Sequence, residues 1–154
     1  MLKLLILNGP NMNLLGLREP ELYGRTTYGA LCERIRAHAA AHGMQADLYQ
    51  SNHEGDLVDQ IQAARGVYDG IVINPAAYTH TSVAILDALL AVGIPAVEVH
   101  ITDPAKREAF RSVSYVRAAC AAAICGHGID GYLEAMDLLA QMNHHQTNSS
   151  EVRK

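Results

Sequence analysis

Five short apolar runs alternate with amphipathic stretches along the chain, and this alternation restricts the fold more than any other feature. The runs cover residues 2–7, 46–49, 70–73, 96–99 and 121–125, and each is bounded by Gly, Pro, Asn or His. Unbroken hydrophobicity of this length is what a strand covered on both faces of a parallel sheet requires. The segments between have helical period. Residues 27–42 place Leu31, Ile35 and Ala39 on one stripe and stop at Gly43. Residues 56–65 do the same with Leu57, Ile61 and Ala64 before Gly66. Residues 81–92 carry Ile85, Leu86, Leu89 and Leu90 up to Gly93, and residues 131–142 use Leu133, Met136, Leu139 and Ala140. Glycine just past a periodic stretch is a helix stop. The pattern predicts an α/β three-layer sandwich with a five-stranded parallel sheet and right-handed crossovers. For five strands in this length the expected order is the flavodoxin-like 2-1-3-4-5.

A chain of 154 residues suits one domain. The last polar residues, 143–154, show no apolar period and are expected to form a disordered tail, leaving residues 1–142 as the single folded domain. A net charge of −4 without a basic stripe argues against a nucleic-acid partner. Cys32, Cys120 and Cys125 are an odd set without paired spacing, as expected of free thiols in a reducing compartment. The first apolar run ends at Leu7 with no small-residue cleavage site after it, and no run reaches the roughly eighteen residues of a membrane span. A cytoplasmic protein without a membrane partner is expected.

Ligands of such sheets bind beyond the C-terminal ends of the strands, near the reversal of strand order. Those ends are polar here. The first strand runs into NGPNMNLLGLREPELYG (residues 8–24), the third into Asn74, Pro75, Tyr78 and His80, and the fourth carries Glu98 and His100 with Thr102 and Asp103 beyond. Each feature alone is ordinary turn or boundary chemistry. Three of them on neighbouring strands point to one site.

Other motifs carry less. The stretch GHGIDG (126–131) has the spacing of a dinucleotide loop, but no further strand follows to supply a ribose-binding acid. His38 and His42 lie four apart on one helix without a third ligand in the sequence pattern, so a solvated face is expected and no metal. The three lysines, Lys3, Lys106 and Lys154, lie outside the apolar settings that favour imine chemistry. A flavin- or nucleotide-binding module at the same mouth is the rival reading. It would want a glycine- or hydroxyl-rich phosphate loop where Arg18 and Tyr23 stand.

The sequence resembles the type II 3-dehydroquinate dehydratases from Leu2 to about Met142. The resemblance is carried by NGPNMNLLGLREPELYG, QSNHEGDLVDQI, INPAAYTHTSVAILDAL, EVHITD and FRSVSY, in family order and spacing. It implies cofactor-free dehydration of 3-dehydroquinate to 3-dehydroshikimate, in shikimate synthesis or quinate breakdown, by a homo-dodecamer built as a tetramer of trimers. It also implies roles. Tyr23 would remove the C2 proton, Arg18 would hold it as phenolate, and Asn11 would position groups and water at the enolate oxygen. His100 would protonate the departing C1 hydroxyl, with Glu98 orienting its ring. Asn74, the Thr102 hydroxyl and the backbone N–H groups of Ile101 and Thr102 would bind the carboxylate. His80, Arg111 and Asp87 would hold the ring hydroxyls.

These roles make physical demands. A tyrosine titrates near 10, so half-ionisation at neutral pH requires a fall of roughly 3 units, or about 4 kcal/mol. An adjacent guanidinium in a dry site supplies stabilisation of that kind. Residues 18–25 are expected to form a lid that carries Tyr23 in and excludes water. His80 and Asp87, read as members of one helix, would be separated by roughly 10 Å along its axis. Asp87 is therefore expected to reach a neighbouring subunit's site. Thr102 and Asp103 replace the family's usual Ser and Asn, and Met12 replaces Leu. The extra charge at Asp103 is expected to disfavour an anionic substrate.

Overall fold

A computed structural model describes residues 1–17 and 19–151. Strands β1 (Leu2–Asn8), β2 (Met44–Gln50), β3 (Gly70–Asn74), β4 (Ala96–His100) and β5 (Ala122–Cys125) form one parallel sheet in the order β2-β1-β3-β4-β5. This is the flavodoxin-like order expected from the sequence. The helices are α1 (Pro20–Tyr23), α2 (Tyr28–Ala41), α3 (Glu54–Ala63), α4 (Val83–Val92) and α5 (Asp130–Glu151). No helix among the described residues is long and apolar enough to cross a membrane.

Strand β1 shows why the runs are continuous. Leu4 and Ile6 belong to a core shared with Leu31 and Ile35 of α2 and Met136 and Leu139 of α5. Leu5 and Leu7 belong to the opposite core, with Leu57 and Ile61 of α3 and Ile85 and Leu89 of α4. All four strand residues are at most 3% exposed, so neither face can afford a polar side chain. Burying each contributes about 1.5–3 kcal/mol.

Helix boundaries follow local capping. The Thr27 hydroxyl accepts from Ala30 N–H at 3.2 Å to start α2, and the Ser82 hydroxyl accepts from Ile85 N–H at 3.0 Å to start α4. The Ser82 cap corrects the expected start at residue 81. It leaves His80 in a preceding 3-10 turn, Ala76–His80, so His80 and Asp87 do not share a helix. Helix α5 continues to Glu151, where the sequence reading ended it at 142 and expected disorder beyond. No Gly or Pro interrupts residues 132–151, and the Thr147 hydroxyl donates back to the carbonyls of Asn143 and His144 at 3.2 and 2.9 Å. Loss of apolar period ended the buried stripe without ending the helix.

At the C-terminal edge of the sheet, β1 and β3 run on in close contact. Gly9 N–H donates to the Asn74 carbonyl at 2.8 Å, and a Cβ on Gly9 would stand 2.4 Å from the Pro75 carbonyl oxygen. Only glycine permits that approach. Below it, the fully buried Tyr132 of α5 donates to Asn8 Oδ1 at 2.5 Å and accepts from Asn74 Nδ2 at 2.9 Å. One hydroxyl thus ties α5 to the ends of two strands. Tyr132→Phe should lower unfolding free energy by about 1–3 kcal/mol, because two buried amide groups lose their partner. Urea denaturation measures this, and an unchanged midpoint would contradict it.

Candidate active site

A cavity opens beyond the ends of β1, β3 and β4. From β1 come Asn11 and, farther along the loop, Tyr23; from β3 come Asn74 and His80; from β4 come His100, Ile101 and Thr102. Arg107 and Arg111, from the segment after β4, complete one wall. Asn11 adopts a left-handed backbone (φ 68°), which asparagine tolerates, and its N–H donates to Asn52 Oδ1 at 3.0 Å. Ala76, also lining the cavity, is left-handed at φ 52°, where its Cβ is strained. Its N–H is held by Asn74 Oδ1 at 3.1 Å. Asn74 is therefore fixed on both sides of its amide, by Ala76 and by Tyr132.

Behind the cavity lies a buried charge. Glu98 is 0% exposed, since β4 is covered on both faces, and it accepts hydrogen bonds from three residues. Oε1 accepts from His100 Nε2 at 2.6 Å and Ser114 Oγ at 2.7 Å, while Oε2 accepts from Arg117 Nε at 3.0 Å. Burial alone would push this carboxyl up. The hydrogen bonds from His100 and Ser114, with the charge of His100 and the Arg117 contact, outweigh it and hold the carboxyl below its usual range. A carboxylate accepts only, so Nε2 of His100 carries its proton toward Glu98, and Nδ1 is left for the cavity.

Across the cavity, Arg107 Nη1 donates to the Tyr23 hydroxyl at 2.7 Å, with the guanidinium carbon 5.4 Å from the ring centroid. A guanidinium aimed at a phenol oxygen stabilises negative charge developing there. Arg111 is oriented by its Nε bond to Glu108 at 2.8 Å. His80 Nδ1 meets the Val113 carbonyl at 2.6 Å, so that nitrogen carries the hydrogen and Nε2 has the lone pair.

Among the described residues, two that the sequence predicted, Glu98 and Asp87, stand apart from the cavity lining. Arg18 lies outside the described residues. Glu98 sits beneath His100 and reaches the cavity only through it. Asp87 is exposed on α4. Asp103 accepts from Ala105 N–H at 3.1 Å and caps the 3-10 turn Pro104–Lys106. The GHGIDG loop has a structural use: Gly126 N–H donates to the carbonyls of His100 and Thr102 at 3.2 and 3.1 Å, pinning the segment after β4. Sequence reasoning missed Arg107, Ser114, Arg117 and Tyr132. Ser114 lies within the FRSVSY motif, whereas Arg107 falls between EVHITD and FRSVSY, outside both.

Glu98 sets an acid-side dependence. Its folded carboxyl titrates lower than its unfolded one, so its contribution to stability is complete above about 4.3 and is lost as pH falls through the lower folded value. Glu98→Gln should be less stable than wild type at neutral pH, yet lose stability less steeply below about pH 4.3. Chemical denaturation across that range reads the slope, and equal slopes would contradict the assignment.

Known proteins resemble the chain over nearly its whole length. Residues 2–140 match the family model described as dehydroquinase class II. A 3-dehydroquinate dehydratase 1 of Corynebacterium efficiens is 52% identical over 149 residues, covering 97% of this chain and 98% of that one. A catabolic 3-dehydroquinase 1 of Aspergillus terreus is 53% identical over 137 residues, covering 89% and 90%. The crystal structure of a type II dehydroquinase from Butyrivibrio crossotus superposes with a TM-score of 0.89 at 45% identity, covering 90% of this chain and 97% of that one. Sequence motifs, strand order and whole-chain similarity agree: the chain belongs to the class II dehydroquinases.

Proposed function

We propose that the protein dehydrates 3-dehydroquinate to 3-dehydroshikimate by anti elimination through an enolate, with Tyr23 as base and His100 as acid. One observation carries the reading: Tyr23, held by Arg107, and His100, held by Glu98, line the same cavity from different strand ends. The names of the relatives from Corynebacterium efficiens and Aspergillus terreus point to the same substrate.

The ketone at C3 acidifies the C2–H bond. Tyr23, as phenolate, takes that proton, and the C–H electron pair moves into the enolate. Asn11 positions groups and water at the enolate oxygen. His100, protonated on both nitrogens, delivers the Nδ1 proton to the C1 hydroxyl, which leaves as water while the enolate collapses to the conjugated enone. The buried Glu98 carboxylate supplies the counter-charge for that imidazolium, while Arg117 and Ser114 hold it in place. Asn74, the Thr102 hydroxyl and the N–H groups of Ile101 and Thr102 bind the substrate carboxylate. His80 and Arg111 hold ring hydroxyls. Base and acid are both side chains, so the reaction calls for no cofactor.

Residues 18–25 act as the lid, with Arg18 joining Arg107 in holding Tyr23 anionic. Within it α1 is a single short helix, ending at Gly24 in a φ of 80°. The protein works in the cytoplasm as a dodecamer, a tetramer of trimers, in which Asp87 reaches a neighbouring site. The α4 surface supports this: Val83 and Leu90, four before and three after Asp87, are 48% and 59% exposed on its face. An apolar face flanking a charge suits a subunit contact.

Adding dehydroquinate to the purified protein should raise the ultraviolet absorbance of the enone equally with and without chelator. No rise would contradict the reading. Tyr23→Phe and His100→Ala should each lower kcat by about 10²–10⁴-fold, the usual worth of a positioned acid or base. In His100→Ala the KM should stay near wild type; a rise in KM at unchanged kcat would make His100 a binding residue only. Asp87→Ala should lower turnover or dissociate the assembly, read by kinetics alongside light scattering. Both unchanged would leave Asp87 as a solvent-facing residue.

A further inference from the structure

The helices α2 and α5 lie side by side on one face of the sheet, and their outer edges are joined by a row of polar contacts. Arg34 Nη2 donates to Asp130 Oδ1 at 2.6 Å, and farther along His38 Nε2 meets Asp137 Oδ1 at 2.7 Å. His42 follows one turn after His38, with the two ring centroids 4.1 Å apart. The sequence pattern left this histidine pair without a third ligand and suggested a solvated face. The fold corrects that: the His38 side chain is 15% exposed, and α5 brings Asp137 to it. One donor atom from each of His38, His42 and Asp137 lies within 4.8 Å of the other two.

We propose that His38, His42 and Asp137 form a divalent transition-metal site, suited to Zn²⁺, that clamps α5 to α2. His38 stands in the last turn of α2 and His42 is its C-cap, four residues on, so the two rings lie side by side and can chelate a single ion. Two imidazoles and a carboxylate are borderline donors that suit zinc and its neighbours better than Mg²⁺ or Ca²⁺, which demand oxygen-only shells. Three protein ligands leave the fourth tetrahedral position to water.

The ligand orientations are already set. His42 Nδ1 lies 2.8 Å from the His38 backbone carbonyl, which only accepts, so Nδ1 carries the hydrogen and Nε2 presents its lone pair. This is the outer-shell arrangement that orients metal-bound histidines. At His38 the ion takes the place of the proton now shared with Asp137. Ligand bonds of about 2.0–2.2 Å at tetrahedral angles separate donors by about 3.4 Å. The 2.7 Å contact therefore opens by less than an ångström, and the exposed His42 swings in from the other side. The clamp lies on the helix that also carries Tyr132, the residue that fastens Asn8 and Asn74, so it holds in place an element the active site leans on. It is separate from the proposed base and acid, and its test does not depend on turnover.

The test is calorimetric titration of the metal-stripped full-length protein with Zn²⁺, together with thermal unfolding with and without zinc. Wild type should bind one Zn²⁺ per chain and unfold at higher temperature in its presence. His42→Ala, an exposed substitution that spares the fold, should weaken binding by at least about tenfold, the lower bound for loss of even an outer-shell partner. Asp137→Asn, which retains a polar group beside His38, should also weaken it and abolish the thermal shift. The double variant His144→Ala/His145→Ala, which removes two histidines of α5 outside the proposed ligand set, should bind like wild type. Failure of wild type to bind, wild-type affinity in His42→Ala, or loss of binding in the double variant would each overturn the proposal.

Discussion

The arrangement at the sheet edge depends on keeping one carboxylate charged where water cannot reach it. Glu98 sits inside β4, and an uncompensated ion there would cost several kcal/mol. His100 shares its strand two residues on and points to the same side. Ser114 and Arg117 come from the segment between β4 and β5. That segment must fold back over the end of β4 for the charge to be tolerated, and in doing so it carries Arg107 and Arg111 to the cavity wall. The electrostatic need of a buried acid and the assembly of the cavity wall are thus met by the same stretch of chain.

A second constraint is close packing at the mouth. Gly9 and Asn74 let β1 and β3 continue in register past the point where their helices turn away. Tyr132 locks that register from below. Polar groups that line the cavity are consequently fixed by groups that do not, which gives the mouth a rigid floor.

Sequence made the sheet readable because burial on both faces leaves a plain signature: the run at residues 4–7 has no tolerance for polarity. The strand-end polar residues were readable for a similar reason, since Asn8, Asn74 and His100 interrupt apolar runs at the positions where a doubly wound sheet gathers its ligands. Family motifs assigned their roles. What sequence hid was pairing across distance. Arg107 is separated from Tyr23 by eighty-four positions, and nothing local marks it as its partner. Asp137 is ninety-nine positions from His38, which is why a histidine pair looked incomplete. Helix α5 outran its apolar stripe because exposed turns need only residues that do not break a helix. His80 fell outside α4 because a serine hydroxyl, worth about 1 kcal/mol as a cap, sets the start at Val83, two residues after the expected one.

The central claim is geometric: a phenol rising from the loop after β1 and an imidazole on β4 work on opposite faces of one ring. Proton magnetic resonance of the product formed from dehydroquinate carrying deuterium stereospecifically at C2 tests it most directly. The account predicts loss of the hydrogen that lies anti to the departing hydroxyl, with the other retained. Loss of the syn hydrogen would place base and acid on the same face and contradict it.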